Sequence, residues 1–88
     1  MRYDIIFTGR VQGVFFRACA QDAASNFDVA GWVRNEPDGS VRCVVEGGAD
    51  ELDRFVAAVQ RSKRPNISDT RITPGQATGE FEGFSIRY

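Results

Sequence analysis

Apolar and polar residues alternate from Tyr3 to Thr8, with Tyr3, Ile5 and Phe7 on one side and Asp4, Ile6 and Thr8 on the other. A period of two predicts a strand with one buried face. From about Phe16 to Asn26 the period lengthens. Phe16, Ala20, Ala23, Ala24 and Phe27 fall on one helical stripe, with Gln21, Asp22 and Ser25 opposite. The alanines predict a helix that lies close on a sheet. Val29–Glu36 and Ser40–Glu46 read as two strands joined by the turn Pro37-Asp38-Gly39. In the second, Val41, Cys43 and Val45 share one face, and Arg42, Val44 and Glu46 the other. Gly47-Gly48 ends it. Ala49–Lys63 is the clearest helix, with Leu52, Phe55, Val56 and Val59 as its stripe. Asp50, Glu51 and Asp53 suit the positive end of its dipole. Arg61, Lys63 and Arg64 sit at the far end, and Pro65 stops it. Asn66–Thr73 reads as a strand weakened by Ser68 and Asp69. Pro74–Gly79 reads as a polar loop, and Glu80–Tyr88 as a final strand with Phe84, Ile86 and Tyr88 alternating.

The order β-α-β-β-α-β, with an extra short C-terminal strand, predicts an α+β fold: a ferredoxin-like split β-α-β two-layer sandwich. An antiparallel sheet with two helices on one face buries both stripes. The 88 residues make a single domain, 1–88. An apolar content of 42% with mixed charges argues for a folded globule rather than disorder. The net charge of -1 gives no general attraction to nucleic acid or to an anionic membrane. No apolar run approaches a membrane span, and no signal-peptide pattern opens the chain. The expectation is a cytoplasmic monomer. There is no histidine, so histidine-based catalysis and histidine metal sites are excluded. Cys19 and Cys43 fit the same compartment as free thiols. Sequence leaves a bridge between them open, because it does not place their Cβ atoms.

The chemistry gathers in Gly9–Arg17, reading GRVQGVFFR, between the first strand and the first helix. Gly9 and Gly13 permit positive φ. A loop that ends at a helix N-terminus presents unpaired N–H donors and the positive end of a dipole, which together suit an anion. Arg17 adds a guanidinium that forks onto phosphate or carboxylate. The same spacing also fits a tight strand-to-helix turn with a surface Arg.

A second stretch, Gly31–Val41, separates these readings. The first motif, G-x-V-Q-G-V-x-F-R, is matched at Gly9, Val11, Gln12, Gly13, Val14, Phe16 and Arg17. The second, G-W-V-x-N-x-x-D-G-x-V, is matched at Gly31, Trp32, Val33, Asn35, Asp38, Gly39 and Val41. With the closing strand at Gly83–Tyr88, the chain resembles the acylphosphatase family along its whole length. The resemblance implies hydrolysis of the carboxyl-phosphate bond of acyl phosphates such as acetyl phosphate, carbamoyl phosphate or 1,3-bisphosphoglycerate. Carboxylate and inorganic phosphate are the products. It makes Arg17 and Asn35 the catalytic residues. Arg17 binds phosphate together with backbone N–H groups of Gln12, Gly13, Val14, Phe15 and Phe16, and Asn35 orients the attacking water. The implied chemistry needs no metal or other cofactor. The family usually carries Leu-Gly-Leu where this chain has Phe27-Asp28-Val29, which leaves Asn26 to take the left-handed position at the helix end.

Other readings stay beside this one. Arg17 as a solvated side chain and Asn35 as a strand-ending residue need no function. Gly9, Gln12 and Gly13 shape the loop in any case. Trp32 and Phe16 read as core, and Asp38-Gly39 as turn chemistry. Arg10 either adds charge to the site or lies in solvent. Cys19, in the first helical turn near Arg17, is a redox candidate or a small filler. A non-catalytic anion-binding or regulatory module is the alternative function. It predicts a fused partner domain or the loss of Arg17 or Asn35, and both residues are present. An RNA-binding sheet platform shares the strand order, but the third strand carries no aromatic residue.

Overall fold

The alternation in the first segment makes β1 (Arg2–Gly9), whose Tyr3, Ile5 and Phe7 are buried. The computed structural model describes all residues from Met1 to Tyr88. After β1 come α1 (Phe16–Ala24), β2 (Val29–Asn35), β3 (Val41–Gly47), α2 (Ala49–Lys63), β4 (Ile67–Gly75) and β5 (Phe84–Arg87). The strands form one sheet in the order β4-β1-β3-β2-β5. Both helices pack on one face, as the two apolar stripes require. Ile5, Phe7, Val33, Val41, Cys43 and Val45 of the sheet meet Phe16, Ala20, Leu52, Phe55 and Val59 of the helices. Phe7 and Phe16 touch at 5.0 Å between ring centroids, which fixes the start of α1 over β1. Tyr3 donates its O–H to Asp53 at 2.6 Å and ties α2 to the same strand. That hydrogen bond raises the Tyr3 pKa.

One pairing departs from the expected antiparallel sheet. β5 runs parallel to β2, with Gly31 opposite Phe84 and Val33 opposite Ile86. The reason is the path of the preceding loop. β4 finishes opposite Arg2, at the end of the sheet where β2 also begins. Residues 76–83 cross that end instead of turning back, so β5 starts beside the start of β2. Glu46 holds the crossing. Its carboxylate accepts from the Thr78 and Gly79 amides at 2.8 and 3.0 Å and from Arg2 at 3.2 Å. Arg2 in turn reaches Glu80 at 2.9 Å and covers the Phe81 ring.

Three smaller expectations also change. β4 continues through Pro74 to Gly75, where a polar loop was expected, because an edge strand tolerates a missing N–H. The final strand is shorter, beginning at Phe84 rather than Glu80. Asn26 does not take the left-handed position, since Phe15 is the only non-glycine residue with positive φ. Instead Ser25 Oγ and Asn26 Nδ2 donate to the Asp22 carbonyl and close the end of α1.

Trp32 is buried, but on the face away from the helices. It lies beside Val44 and under the guanidinium groups of Arg34, Arg42 and Arg87, at 4.7–5.6 Å from its ring. Arg42 is held there by both carboxylate oxygens of Asp4, and Arg34 by Glu36. The stems of these arginines cover apolar surface that no helix covers.

The backbone N–H groups on Glu46 lower its pKa below the usual carboxylate value. A group whose pKa is depressed on folding stabilises the protein above its ordinary pKa and loses that contribution as pH falls through the depressed one. Glu46→Gln should therefore lower urea stability at pH 7 and flatten the loss of stability in acid. Urea melts of both proteins from pH 7 down to pH 3 check this; parallel curves would contradict it.

Candidate active site

The ends of β1, β2 and β5, the start of β3, the start of α1 and the last residue of α2 all lie at one end of the sheet. The register places Phe7 and Asn35 opposite Val41, and Arg87 opposite Arg34. Residues 10–15 cross this end. Val11 is fully buried and pins the loop to the core. Gly9 enters the loop at φ 121°, just past an irregularity in the β1–β4 pairing. A Cβ there would stand 2.4 Å from the Asn66 carbonyl oxygen, so only glycine fits. The Arg10 amide donates to that same oxygen at 2.8 Å. Gly13 turns the chain at φ 75°.

Phe15 is the N-cap residue of α1 and adopts the left-handed conformation, φ 59° and ψ 27°. That costs roughly 1–2 kcal/mol for a residue with a Cβ. Its ring gains no packing in return, being 85% exposed. A phenyl side chain cannot cap a helix, and none of the amides of Gln12, Gly13, Val14, Phe15, Phe16, Arg17 and Ala18 donates to a protein acceptor. The open donors of the loop and of the first helical turn are thus left together at one place.

A cavity of about 270 Å³ opens there, lined by Val11, Gly13, Phe15, Phe16, Arg17, Ala18, Asn35, Ile86 and Tyr88. Arg17, at the second position of α1, donates from Nη1 to the Arg87 carbonyl oxygen at 3.1 Å, and its guanidinium stacks on Tyr88 at 4.7 Å. Asn35 ends β2 and faces the same cavity. Its Oδ1 is buried and has no hydrogen-bond partner, alone among the buried side-chain polar atoms. Such an atom is costly unless a further molecule supplies the donor.

The structure therefore brings together Gly13, Phe15, Phe16, Arg17 and Asn35 of the expected site. Gln12 and Val14 do not line the cavity. The Gln12 side chain donates from Nε2 to the carbonyls of Glu36 and Ser40, at 2.7 and 2.9 Å. It ties the loop to the hairpin that carries Asn35. Val14 packs against the core, and its carbonyl oxygen accepts from Lys63 Nζ at 2.7 Å. Lys63 reads from sequence only as a cation at a helix end; its true partner is 49 residues away and leaves no local signal. Ile86 and Tyr88 reach the cavity only because β5 is parallel. Asp38 serves the turn: its carboxylate accepts from the Ser40 hydroxyl and amide, which lowers its pKa. Cys19 and Cys43 are both free thiols. Cys43 lies in the core, where burial raises its pKa.

The fold is that of a ferredoxin-like α+β domain, with open amides, an Arg and an Asn around one cavity. Comparison with known proteins is more specific. The acylphosphatase family profile matches residues 3–86. An acylphosphatase of Salinibacter ruber is 44% identical over 81 residues, covering 91% of this chain and 85% of the relative. One of Aeropyrum pernix is 42% identical over 90 residues, covering 100% and 89%. The crystal structure of acylphosphatase from Bacillus subtilis superposes with a TM-score of 0.89 at 37% identity, covering 99% of this chain and 98% of that one. The chain belongs to the acylphosphatase family of hydrolases.

Replacing Gln12 by Ala removes two hydrogen bonds between loop and hairpin. Stability should fall by about 1–2 kcal/mol, and thermal unfolding measures it; an unchanged midpoint would mean that the tether is idle.

Proposed function

We propose that this protein hydrolyses acyl phosphates, with the phosphate held by the backbone amides of Gln12–Phe16 and by Arg17, and with water directed by Asn35. The observation that carries the reading is the unpartnered, buried Oδ1 of Asn35, a residue that lines the same cavity as Arg17. Amides at a helix N-terminus and a guanidinium present fixed positive charge to the phosphoryl oxygens. Phosphoryl transfer is mainly a matter of positioning and electrostatic stabilisation, so such a cradle can supply much of the rate. The Asn35 oxygen accepts one O–H of the water and aims its lone pair at phosphorus. The water oxygen forms the new P–O bond as the bond from phosphorus to the acyl oxygen breaks. The bonding pair leaves with the carboxylate, a good leaving group, and a phosphate oxygen takes the water's proton. No strong base is required.

The role of Gln12 in this scheme is carried by its backbone, since its side chain is committed to the hairpin. The acyl half of the substrate lies against Ile86 and the rings of Phe15 and Tyr88, an apolar wall that accepts more than one acyl group. All lining residues come from one chain, so a monomer suffices. No helix is long and apolar enough to cross a membrane, and the cytoplasm is the proposed compartment.

Benzoyl phosphate hydrolysis tests the scheme. Wild type should turn over equally with and without EDTA, because amides and Arg17 supply the positive charge. Arg17→Gln should lose about 1000-fold or more in kcat/KM, and Asn35→Ala about 100-fold in kcat with KM little changed. A folded but inactive wild type that still binds phosphate would instead favour an anion-binding module.

A further inference from the structure

The open amides need an orientation, and one of them is held by a residue outside both sequence motifs. Lys63 closes α2, in the last turn, where a cation suits the negative end of the helix dipole. Its Nζ passes the helix end and donates to the Val14 carbonyl oxygen at 2.7 Å, in a part-buried setting. That carbonyl belongs to the peptide between Val14 and Phe15. The peptide is trans, as are all in the chain, and in a trans peptide the C=O and N–H point in opposite directions. With the C=O drawn toward α2, the Phe15 N–H is directed away from it; it has no acceptor in the protein, and Phe15 lines the cavity.

The same peptide is where strain is stored. Phe15 sits at φ 59° although it carries a Cβ. Turning the Val14–Phe15 peptide plane about its ends would relieve that strain. The turn would also carry the Val14 oxygen off Lys63 and swing the Phe15 N–H out of the cradle. Strained backbone persists where its surroundings over-determine it. Here the other constraint is the first bond of α1, from the Cys19 N–H to the Phe15 oxygen at 3.0 Å.

We propose that Lys63 is a positioning residue of the site: its ammonium holds the Val14–Phe15 peptide in the strained orientation that points the Phe15 N–H at a bound phosphate. This rests on the reading of the loop as a phosphate cradle. Lys63 itself touches neither water nor phosphate in this account and acts only through the peptide it holds.

The test measures inorganic phosphate as a competitive inhibitor, together with kcat/KM for benzoyl phosphate, in the full chain. The variants are Lys63→Met, Phe15→Gly and the two combined, with melting temperature recorded for each. Lys63→Met keeps the aliphatic stem and removes the donor. It should weaken phosphate binding and lower kcat/KM about 10-fold or more, the loss expected of a charge-assisted hydrogen bond. Glycine at position 15 removes the penalty for positive φ, so in the Phe15→Gly background the same change should cost about 3-fold or less. Equal losses in both backgrounds would overturn the proposal, because they would mean that Lys63 acts through space by its charge. A lower melting temperature with phosphate binding and kcat/KM unchanged would overturn it as well, leaving Lys63 a purely structural residue. A folded wild type that neither binds phosphate nor turns over would bring down the cradle reading first and this proposal with it.

Discussion

Backbone donors without acceptors are unstable company for one another. Each would rather bond to a carbonyl or to bulk water than wait at the mouth of a cavity, and a free loop would rearrange to let it. The segment from Gln12 to Ala18 keeps its amides open all the same, and much of the surrounding structure can be understood as preventing that rearrangement. Val11 is buried in the core below the loop, and Gly9 lets it pass within contact of Asn66. Gln12 fastens it to the β2–β3 hairpin and Lys63 to the end of α2. The left-handed Phe15 leads directly into α1 without a capping side chain, which would have consumed some of these donors.

The sheet serves this arrangement by bringing distant segments to one end. β1 delivers the loop, β2 delivers Asn35, and β5 delivers Ile86, Arg87 and Tyr88. The last of these depends on a parallel pairing, and so on the crossing of residues 76–83 that Glu46 holds from the opposite end. A carboxylate far from the cavity thereby sets which residues meet Arg17. On the outer face of the sheet Trp32 lies beneath three arginines, two of which are paired with Asp4 and Glu36.

What sequence revealed and what it hid follow from the range of each interaction. The periods of Tyr3–Thr8 and Ala49–Lys63 are local, and both elements lie where the pattern puts them, α2 with the same bounds. The glycines and Arg17 were legible because loop chemistry needs particular residue types at fixed spacing. Asn35 was not distinctive by itself; a strand-ending Asn is common, and only the second motif singled it out. The direction of β5 was hidden, since alternation in a strand is the same read either way along a sheet. The end of α1 misled because Ser25 and Asn26 close it with side chains, a solution that carries no glycine. Lys63 and the backbone state of Phe15 were the least visible. One depends on a partner in another element, and the other contradicts the intrinsic preference of its residue.

The central claim is that the amides of this loop, with Arg17, form the anion site. Titrating the isotopically labelled protein with inorganic phosphate while following its amide and guanidinium resonances tests it most directly. The largest shifts, saturating together, should fall on the amides of Gly13–Arg17 and on the Arg17 side chain, with the outer-face arginines little moved. Shifts centred on Arg34, Arg42 and Arg87, or no saturable change in the loop, would contradict it.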